Sequence, residues 1–456
     1  MRRPRLSFDK VLIANRGEIA LRVVRACREM GIASVVVYSE ADAHSLPVHL
    51  ADEAICIGGP QPRDSYLNIP AIISAALISG AQAIHPGYGF LSEDFDFAEV
   101  CKEHGLVFIG PPPEVLQRFH DKSETRGALR DIGMPVVPGS EGPLRTASEA
   151  LRVAEAIGYP VMLKARAGGG GRGMRRVGSP SELQRMWEQA RAEARSSFGD
   201  DGIYLEKNLE GVRHIEAQIL VDDAGTAVCL GERDCSIQRR HQKIVEEAPS
   251  PTLSEELRRS IARTATDAAA ELGYRGLGTF EFLVDHFGNF YFIEVNARLQ
   301  VEHTVTECIT GIDLVKEQIR LATGEPLSFS AEQVWINGHA IECRINAEDP
   351  ANNFAPMAGT VQTYLAPSGP GIRIDSHLFA GYEVPTYYDS LLAKVIAWGR
   401  DRAEAIARMQ RALDELTITG IVTNVAFHKR VLGSDIFRSG EVTTHLLDTL
   451  GVEAIA

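Results

Sequence analysis

The alternation of short apolar runs with amphipathic stretches over residues 10–110 constrains the fold most. Val11–Ala14 reads as a strand, Glu18–Met30 as a helix stopped by Gly31, and Ser34–Tyr38 as a second strand. Ala83–His85 and Val107–Ile109 read as later strands, with helical segments between. This rhythm predicts a doubly wound parallel sheet, because parallel neighbours need a crossover and a helix supplies it. The segment Asn15-Arg-Gly-Glu18 after the first strand is not the G-x-G-x-x-G of a dinucleotide site, so the Rossmann-like shape does not imply NAD. The loop His85-Pro-Gly-Tyr-Gly-Phe90 follows a predicted strand, where functional loops gather, although a plain turn explains it equally well.

The unit ends at Gly110-Pro-Pro-Pro113, which can continue neither a helix nor a central strand. After a second punctuated stretch, Met134 to Pro143, a strand over Pro160–Ala165 runs into Ala167-Gly-Gly-Gly-Gly-Arg-Gly-Met174. A helix is predicted over Ser181–Ser197, then strands alternating with loops to about residue 296. From about residue 335 come several short strands and a helix near Arg402–Leu416. A length of 456 residues suggests about three domains.

The net charge of -14 disfavours nucleic-acid binding, so an anionic ligand must be met by a local basic cluster. The apolar-leaning stretch Ile69 to Ile84 is too short to span a bilayer. The N-terminus, MRRPRLSFDK, precedes no apolar core of a secretory signal. A cytoplasmic protein with no membrane partner is expected. The seven cysteines form no C-x-x-C, which suggests neither a zinc site nor a disulfide framework.

Three segments carry chemistry. Glycines 168–171 and Gly173 let backbone N–H groups approach a phosphate closely, and Lys164 and Arg172 flank or interrupt them. That suits a mobile lid over a polyphosphate; a flexible linker is the plainer alternative for a glycine run alone. Next, 278–285 and 290–296 read as a hairpin. If Asp285 pairs with Phe290, Glu281 faces Glu294, a destabilising pair unless a cation lies between them. Alternation puts Asn296 on the face of Glu294, and Glu, Glu and Asn are hard oxygen ligands suited to Mg²⁺. Two solvent-facing glutamates on an edge are the alternative. If the strand continues, Arg298, Gln300 and Glu302 share that face, which suggests anion binding beside a general base. Third, Glu232–Lys243 holds four Lys/Arg against two acids, an anion site or else an exposed basic loop.

Together these segments resemble the biotin carboxylase family of the ATP-grasp superfamily. The resemblance runs from Val11-Leu-Ile-Ala-Asn-Arg-Gly-Glu-Ile-Ala20 through His85–Glu93, Gly168–Met174, Glu232–Lys243 and Glu294–His303 to Tyr387-Tyr-Asp-Ser-Leu391. It implies an α/β (α+β overall) ATP-grasp fold. A Rossmann-like N-terminal domain would span 1–110, an ATP-grasp domain 126–323 with its lid at about 136–208, and a C-terminal biotin carboxylase domain 336–456.

The implied reaction is ATP-dependent carboxylation of biotin by bicarbonate through carboxyphosphate. By matching position, Lys122, Lys164 and the lid glycines Gly169, Gly170 and Gly171 would hold the phosphates. Glu206, Lys207 and Leu209 would line the adenine pocket, and His214, Gln238 and His241 the ribose and phosphate side. Glu281, Glu294 and Asn296 would bind Mg²⁺ or Mn²⁺, with two ions implied. Lys243, Arg298, Gln300 and the backbone of Val301 would hold bicarbonate, with Glu302 as its base. Arg344 would stabilise the biotin enolate, with Tyr88 nearby.

None of the nine lysines has the methionine neighbours that biotin attachment requires, so biotin is expected on a separate carrier protein, with carboxyltransferase subunits as further partners. A homodimer is expected from bacterial relatives, although Pro370 stands where they carry an interface Phe. An acetyl-CoA carboxylase system is the leading reading. Val295 and Thr304, familiar from pyruvate carboxylases, keep pyruvate- or propionyl-CoA-type systems open, and another ATP-grasp ligase is the remaining alternative.

Overall fold

The computed structural model describes residues 8–120, 122–166 and 173–451. Gly169, Gly170, Gly171 and Arg172 lie outside the described residues, as does the side chain of Lys122.

The N-terminal unit is the parallel sheet its rhythm predicts. It contains β1 (Lys10–Ile13), β2 (Ala33–Ser39), β3 (Glu53–Gly58), β4 (Ala83–His85) and β5 (Val107–Phe108), in the order β3-β2-β1-β4-β5. Helix α1 (Gly17–Met30) closes with Gly31 in the left-handed region (φ 76°), whose N–H returns to the last turn. β3 carries no strand signal of its own. It is an edge strand with one buried residue, so its Glu-Ala-Ile-Cys-Ile-Gly sequence shows no two-sided apolar run.

A small three-stranded antiparallel sheet follows, formed by β6 (Val161–Ala165), β7 (Met174–Val177) and β8 (Ile203–Lys207) in the order β7-β6-β8. Two helices, Ala147–Ile157 and Pro180–Phe198, cover it, and Trp187, Leu163 and Leu205 fill its own core.

The third layer is an eight-stranded antiparallel sheet. Its strands are β9 (Arg213–Val221), β10 (Ala227–Arg239), β11 (Gln242–Ala248), β12 (Gly276–Val284), β13 (Phe290–Asn296), β14 (His339–Asn346) and the later strands Ile372–Ser376 and Leu391–Gly399. The order is β13-β12-β9-β10-β11-β14, then Leu391–Gly399, then Ile372–Ser376. Along β9, Ile215, Ala217 and Ile219 enter an apolar cluster with Ile261 and Ala265 of the helix Glu255–Glu271. Period-2 alternation therefore turns His214, Glu216 and Gln218 to the opposite face, which carries the site. Helix Arg402–Glu415 packs behind the far end of the sheet through Ala405, Met409 and Leu413.

Two local expectations need correction. Asp285 does not pair with Phe290; Val284 does, because Asp285–Asn289 forms a five-residue turn organised by the Asp285 carboxylate, which accepts from Phe287 N and Asn289 N. A β-bulge beyond Phe282–Phe292 restores the register, so Glu281 still faces Glu294. The strand also does not persist to Glu302. β13 ends at Asn296, and Glu302 becomes the residue before the helix His303–Thr310, with φ -80° and ψ 12°. Among the described residues, no helix is long and apolar enough to cross a membrane.

Candidate active site

The site begins as a row across four strands. Register pairs Glu294 with Glu281, Glu281 with Glu216, and Glu216 with Arg233. Three adjacent glutamates on one face would repel each other, so the row requires positive charge. Arg233 supplies part of it from within the row, with no solvent exposure. Its Nε and Nη2 donate to Glu216 Oε2 at 3.1 and 2.9 Å, and its remaining N–H groups reach Gln218, Thr279 and Thr306.

Lys243 supplies more from above. Its ammonium touches Glu216 and lies 3.0 Å from Glu281 Oε1 and 2.9 Å from Glu302 Oε1. His214 Nε2 lies 2.9 Å from Glu281 Oε2 and 3.4 Å from Glu216 Oε1. Burial pushes this imidazole down, but Glu281 and Glu216 outweigh it and carry the pKa up to about 9.

Glu302 is fully buried and held at both oxygens. Oε1 faces Lys243, and Oε2 accepts from Arg344 Nη2 at 2.9 Å. Burial alone would raise its carboxyl pKa. Lys243, and then Arg344 and Arg233, outweigh burial and the neighbouring Glu216, and hold the carboxyl below its ordinary value. The group is thus ionised and aimed into the site, as a base must be. Arg344 donates its Nε to Glu246 Oε1 at 2.6 Å, which fixes the guanidinium edge-on.

Arg298 lies between the row and the N-terminal unit. It donates to Glu93 Oε2 at 2.9 Å, to Gln300 Oε1 at 2.9 Å and to Asn296 Oδ1 at 3.2 Å. Asn296 and Gln300 in turn donate to Glu281 Oε1 at 2.7 and 3.2 Å. Leaving the strand therefore did not scatter Arg298, Gln300 and Glu302: Arg298 donates to Gln300, Gln300 donates to Glu281, and Lys243 joins Glu281 to Glu302. The register-paired glutamates Glu281 and Glu294 with the Asn296 amide offer hard oxygen donors on one face, a set that fits Mg²⁺ or Mn²⁺.

The small sheet brings its own cation. Lys164 Nζ on β6 donates to Glu206 Oε2 on β8 at 2.5 Å, and Arg126 Nε lies 3.6 Å from the other oxygen. The Lys207 ammonium is committed to the carbonyls of Gly158 and Tyr159, at 3.0 and 2.9 Å, and Leu209 is half-buried just beyond β8. Gln238 Nε2 lies 2.9 Å from His214 Nδ1. His241 is exposed at the tip of the β10–β11 hairpin, where Arg240 and His241 both take positive φ (49° and 66°).

Tyr88 sits in the loop after β4. Asn15 Nδ2 clamps that loop by donating to Pro86 O at 2.7 Å and Tyr88 O at 2.8 Å. Gly87 has φ 65°, and a Cβ there would come within 2.9 Å of Asn15 Nδ2. The Tyr88 hydroxyl donates to Glu18.

Sequence reasoning missed Glu216, Arg233 and Glu246. The alternation His214, Glu216, Gln218 along a strand was a usable signal for the first. Arg233 belongs to the segment read as an anion site or else an exposed basic loop; its guanidinium is spent on protein partners instead, because β10 places it opposite Glu216 on the sheet's polar face. Glu246 has no sequence signal, since its role depends on β11 pairing with β14.

Family models match the chain in order. The "biotin carboxylase, N-terminal domain" covers residues 7–116, the "carbamoyl-phosphate synthase L chain, ATP binding domain" 121–330, and the "biotin carboxylase C-terminal domain" 342–449. A biotin carboxylase from Nostoc sp. is 55% identical over 445 residues, 98% of this chain and 100% of the relative. A pyruvate carboxylase subunit from Methanothermobacter thermautotrophicus is 51% identical over 441 residues, 97% of this chain and 90% of the relative. Among solved structures, the biotin carboxylase domain dimer of Hydrogenobacter thermophilus 2-oxoglutarate carboxylase, in complex with MgADP, ADP and bicarbonate, superposes with TM-score 0.95 at 49% identity, covering 98% of each chain. With three family models in sequence and a full-length relative sharing more than half its residues, the chain belongs to the biotin carboxylase family of ATP-grasp ligases.

Proposed function

We propose that this ATP-dependent biotin carboxylase performs its reaction with the residues gathered above, and that residues 1–110, 126–323 and 336–456 act as its three parts. Lys243, Arg298, Gln300 and the Val301 backbone hold bicarbonate, a poor electrophile that must be activated. Glu302 takes the bicarbonate proton, so that an oxygen of the anion can attack the γ-phosphate of ATP. The carboxyphosphate formed splits into CO₂ and phosphate, and the phosphate takes the N1′ proton of biotin. Arg344 neutralises the biotin enolate oxygen, and Tyr88 borders the ring. Lys122, Lys164 and the lid glycines hold the ATP phosphates. Glu206, Lys207 and Leu209 line the adenine pocket, and His214, Gln238 and His241 stand at the ribose and phosphate side. Glu281, Glu294 and Asn296 hold Mg²⁺ or Mn²⁺, which when bound neutralises charge on the transferring phosphoryl group.

The observation that carries this reading is the Glu302 carboxylate, sealed from solvent and paired with one cation on each oxygen. The test is ATP hydrolysis with bicarbonate, with and without free biotin, in the wild type and in Glu302→Gln. Biotin should stimulate the wild type only, while the variant still binds Mg-ATP. Absence of stimulation in the wild type refutes the reaction, and full activity of the variant refutes the base.

The chain is read as a cytoplasmic carboxylase component, possible as a homodimer, served by a separate biotin carrier protein and carboxyltransferase subunits. Acetyl-CoA carboxylase is the leading system. Val295 and Thr304, familiar from pyruvate carboxylases, support the pyruvate-type alternative.

A further inference from the structure

Lys394, on the strand Leu391–Gly399, has no solvent exposure. A lysine so placed must be compensated, or an apolar side chain would serve the packing better. Its ammonium lies 3.0 Å from Glu18 Oε1 on α1 and donates to the carbonyl of Val301 at 2.8 Å. Burial opposes its charge, but the neighbouring acids, Glu18 first, outweigh burial and raise its pKa.

Each contact leads into the site. Val301 is the peptide neighbour of Glu302, and the first helical hydrogen bond begins one residue later, from Val305 N to Glu302 O at 3.3 Å. Lys394 therefore fixes the backbone just ahead of the helix. Glu18 accepts from the Tyr88 hydroxyl. Arg344, which holds the other oxygen of Glu302, is the register partner of Lys394 across β14. One ammonium thus touches the supports of the base and of the loop carrying Tyr88.

We infer that Lys394 is a positioning residue: by joining the Val301 carbonyl to the Glu18 carboxylate, it sets the spacing between the base Glu302 and the Tyr88 loop. The inference rests on the reading of Glu302 as base and Tyr88 as biotin neighbour. It is mechanical rather than chemical, because Lys394 faces protein groups on every side that the contacts define.

The test compares Lys394→Met, which keeps most of the length without the charge, with Val395→Ala and Glu302→Gln. Val395 points to the other face of the strand, into the apolar cluster behind the sheet, so its truncation destabilises without touching Val301 or Glu18. Biotin-stimulated phosphate release, the KM for ATP and the melting temperature are measured for each. Lys394→Met should lower kcat by about 10- to 100-fold, the effect expected of a base displaced on the ångström scale, with the KM for ATP within about twofold of wild type. Val395→Ala should lower the melting temperature without that loss of kcat.

A Lys394→Met enzyme at wild-type kcat beside an inactive Glu302→Gln overturns the inference and leaves the base intact. So does a Val395→Ala enzyme of equal melting temperature and equal kcat loss. An active Glu302→Gln overturns base and inference together. If Lys394→Met does not fold, Glu18→Gln carries the test: it should raise the KM for biotin and lower kcat, and wild-type values for both overturn the inference.

Discussion

Arg233 offers the sharpest quantitative test of how the site is held. A guanidinium has five N–H donors, and here all five have acceptors: two go to Glu216 Oε2 and one each to Gln218 Oε1, Thr306 Oγ1 and Thr279 Oγ1, at 2.6–3.1 Å. Arg233→Met keeps much of the volume and removes every donor. Breaking a buried ion pair costs about 3–5 kcal/mol. Glu216 keeps Lys243 and His214 beside it, which argues for the lower figure of about 3 kcal/mol. The Gln218 amide already donates to Gly278 O, so its own oxygen is left without Arg233, at a further cost of about 1 kcal/mol. The sum, about 4 kcal/mol, corresponds to roughly a 10³-fold loss of protection. Hydrogen exchange followed peptide by peptide should show this in β9, β10 and β12. Arg233→Lys keeps the charge but has three donors where the arginine makes five hydrogen bonds, and should lose about 2 kcal/mol, or roughly 30-fold. Protection in Arg233→Met within about threefold of wild type would refute the view that this residue anchors the carboxylate row.

Three further outcomes are expected. Glu281→Gln and Glu294→Gln each remove one negative donor, so half-maximal turnover should need on the order of 10-fold more Mg²⁺, and an unchanged Mg²⁺ titration rejects these residues as metal ligands. Burial, only partly offset by Lys394, lifts the Glu342 carboxyl to about 8. A raised folded-state pKa gives stability that is present below the unfolded value of about 4.3 and is lost as pH rises towards 8. Glu342→Gln should therefore gain on the wild type by about 1.4 kcal/mol per pH unit between those limits, with urea unfolding at pH 5 and pH 7.5 as the check and an equal difference at both as the refutation. Lys207→Met should leave the Gly158 and Tyr159 carbonyls unbonded, costing about 1–3 kcal/mol and raising amide exchange in β6–β8, but not in β9–β12; uniform exchange changes would contradict a local role.

The sequence by itself determined much of this protein through local signals. Apolar periodicity and the Gly31 stop placed β1, α1 and β2, because burial on both faces leaves continuous apolar runs. Opposed glutamates on a hairpin pointed to a cation, although the assumed pairing was one residue out at the turn and was corrected by a bulge that no local rule specifies. The motif order along the chain also carried the family. What only tertiary structure decided is which charges meet. Lys243 and Glu246 lie on β11, Arg344 on β14 and Glu302 at a helix start, and their distances depend on β11 and β14 lying side by side and on where that helix begins. Lys394 reads in sequence as one residue of an apolar strand. Its link to Val301 and Glu18, at sequence separations of 93 and more, exists because the sheet ends against α1 and the helix His303–Thr310. Ionic contacts of that kind are set by where whole elements pack, and local patterning carries no record of them.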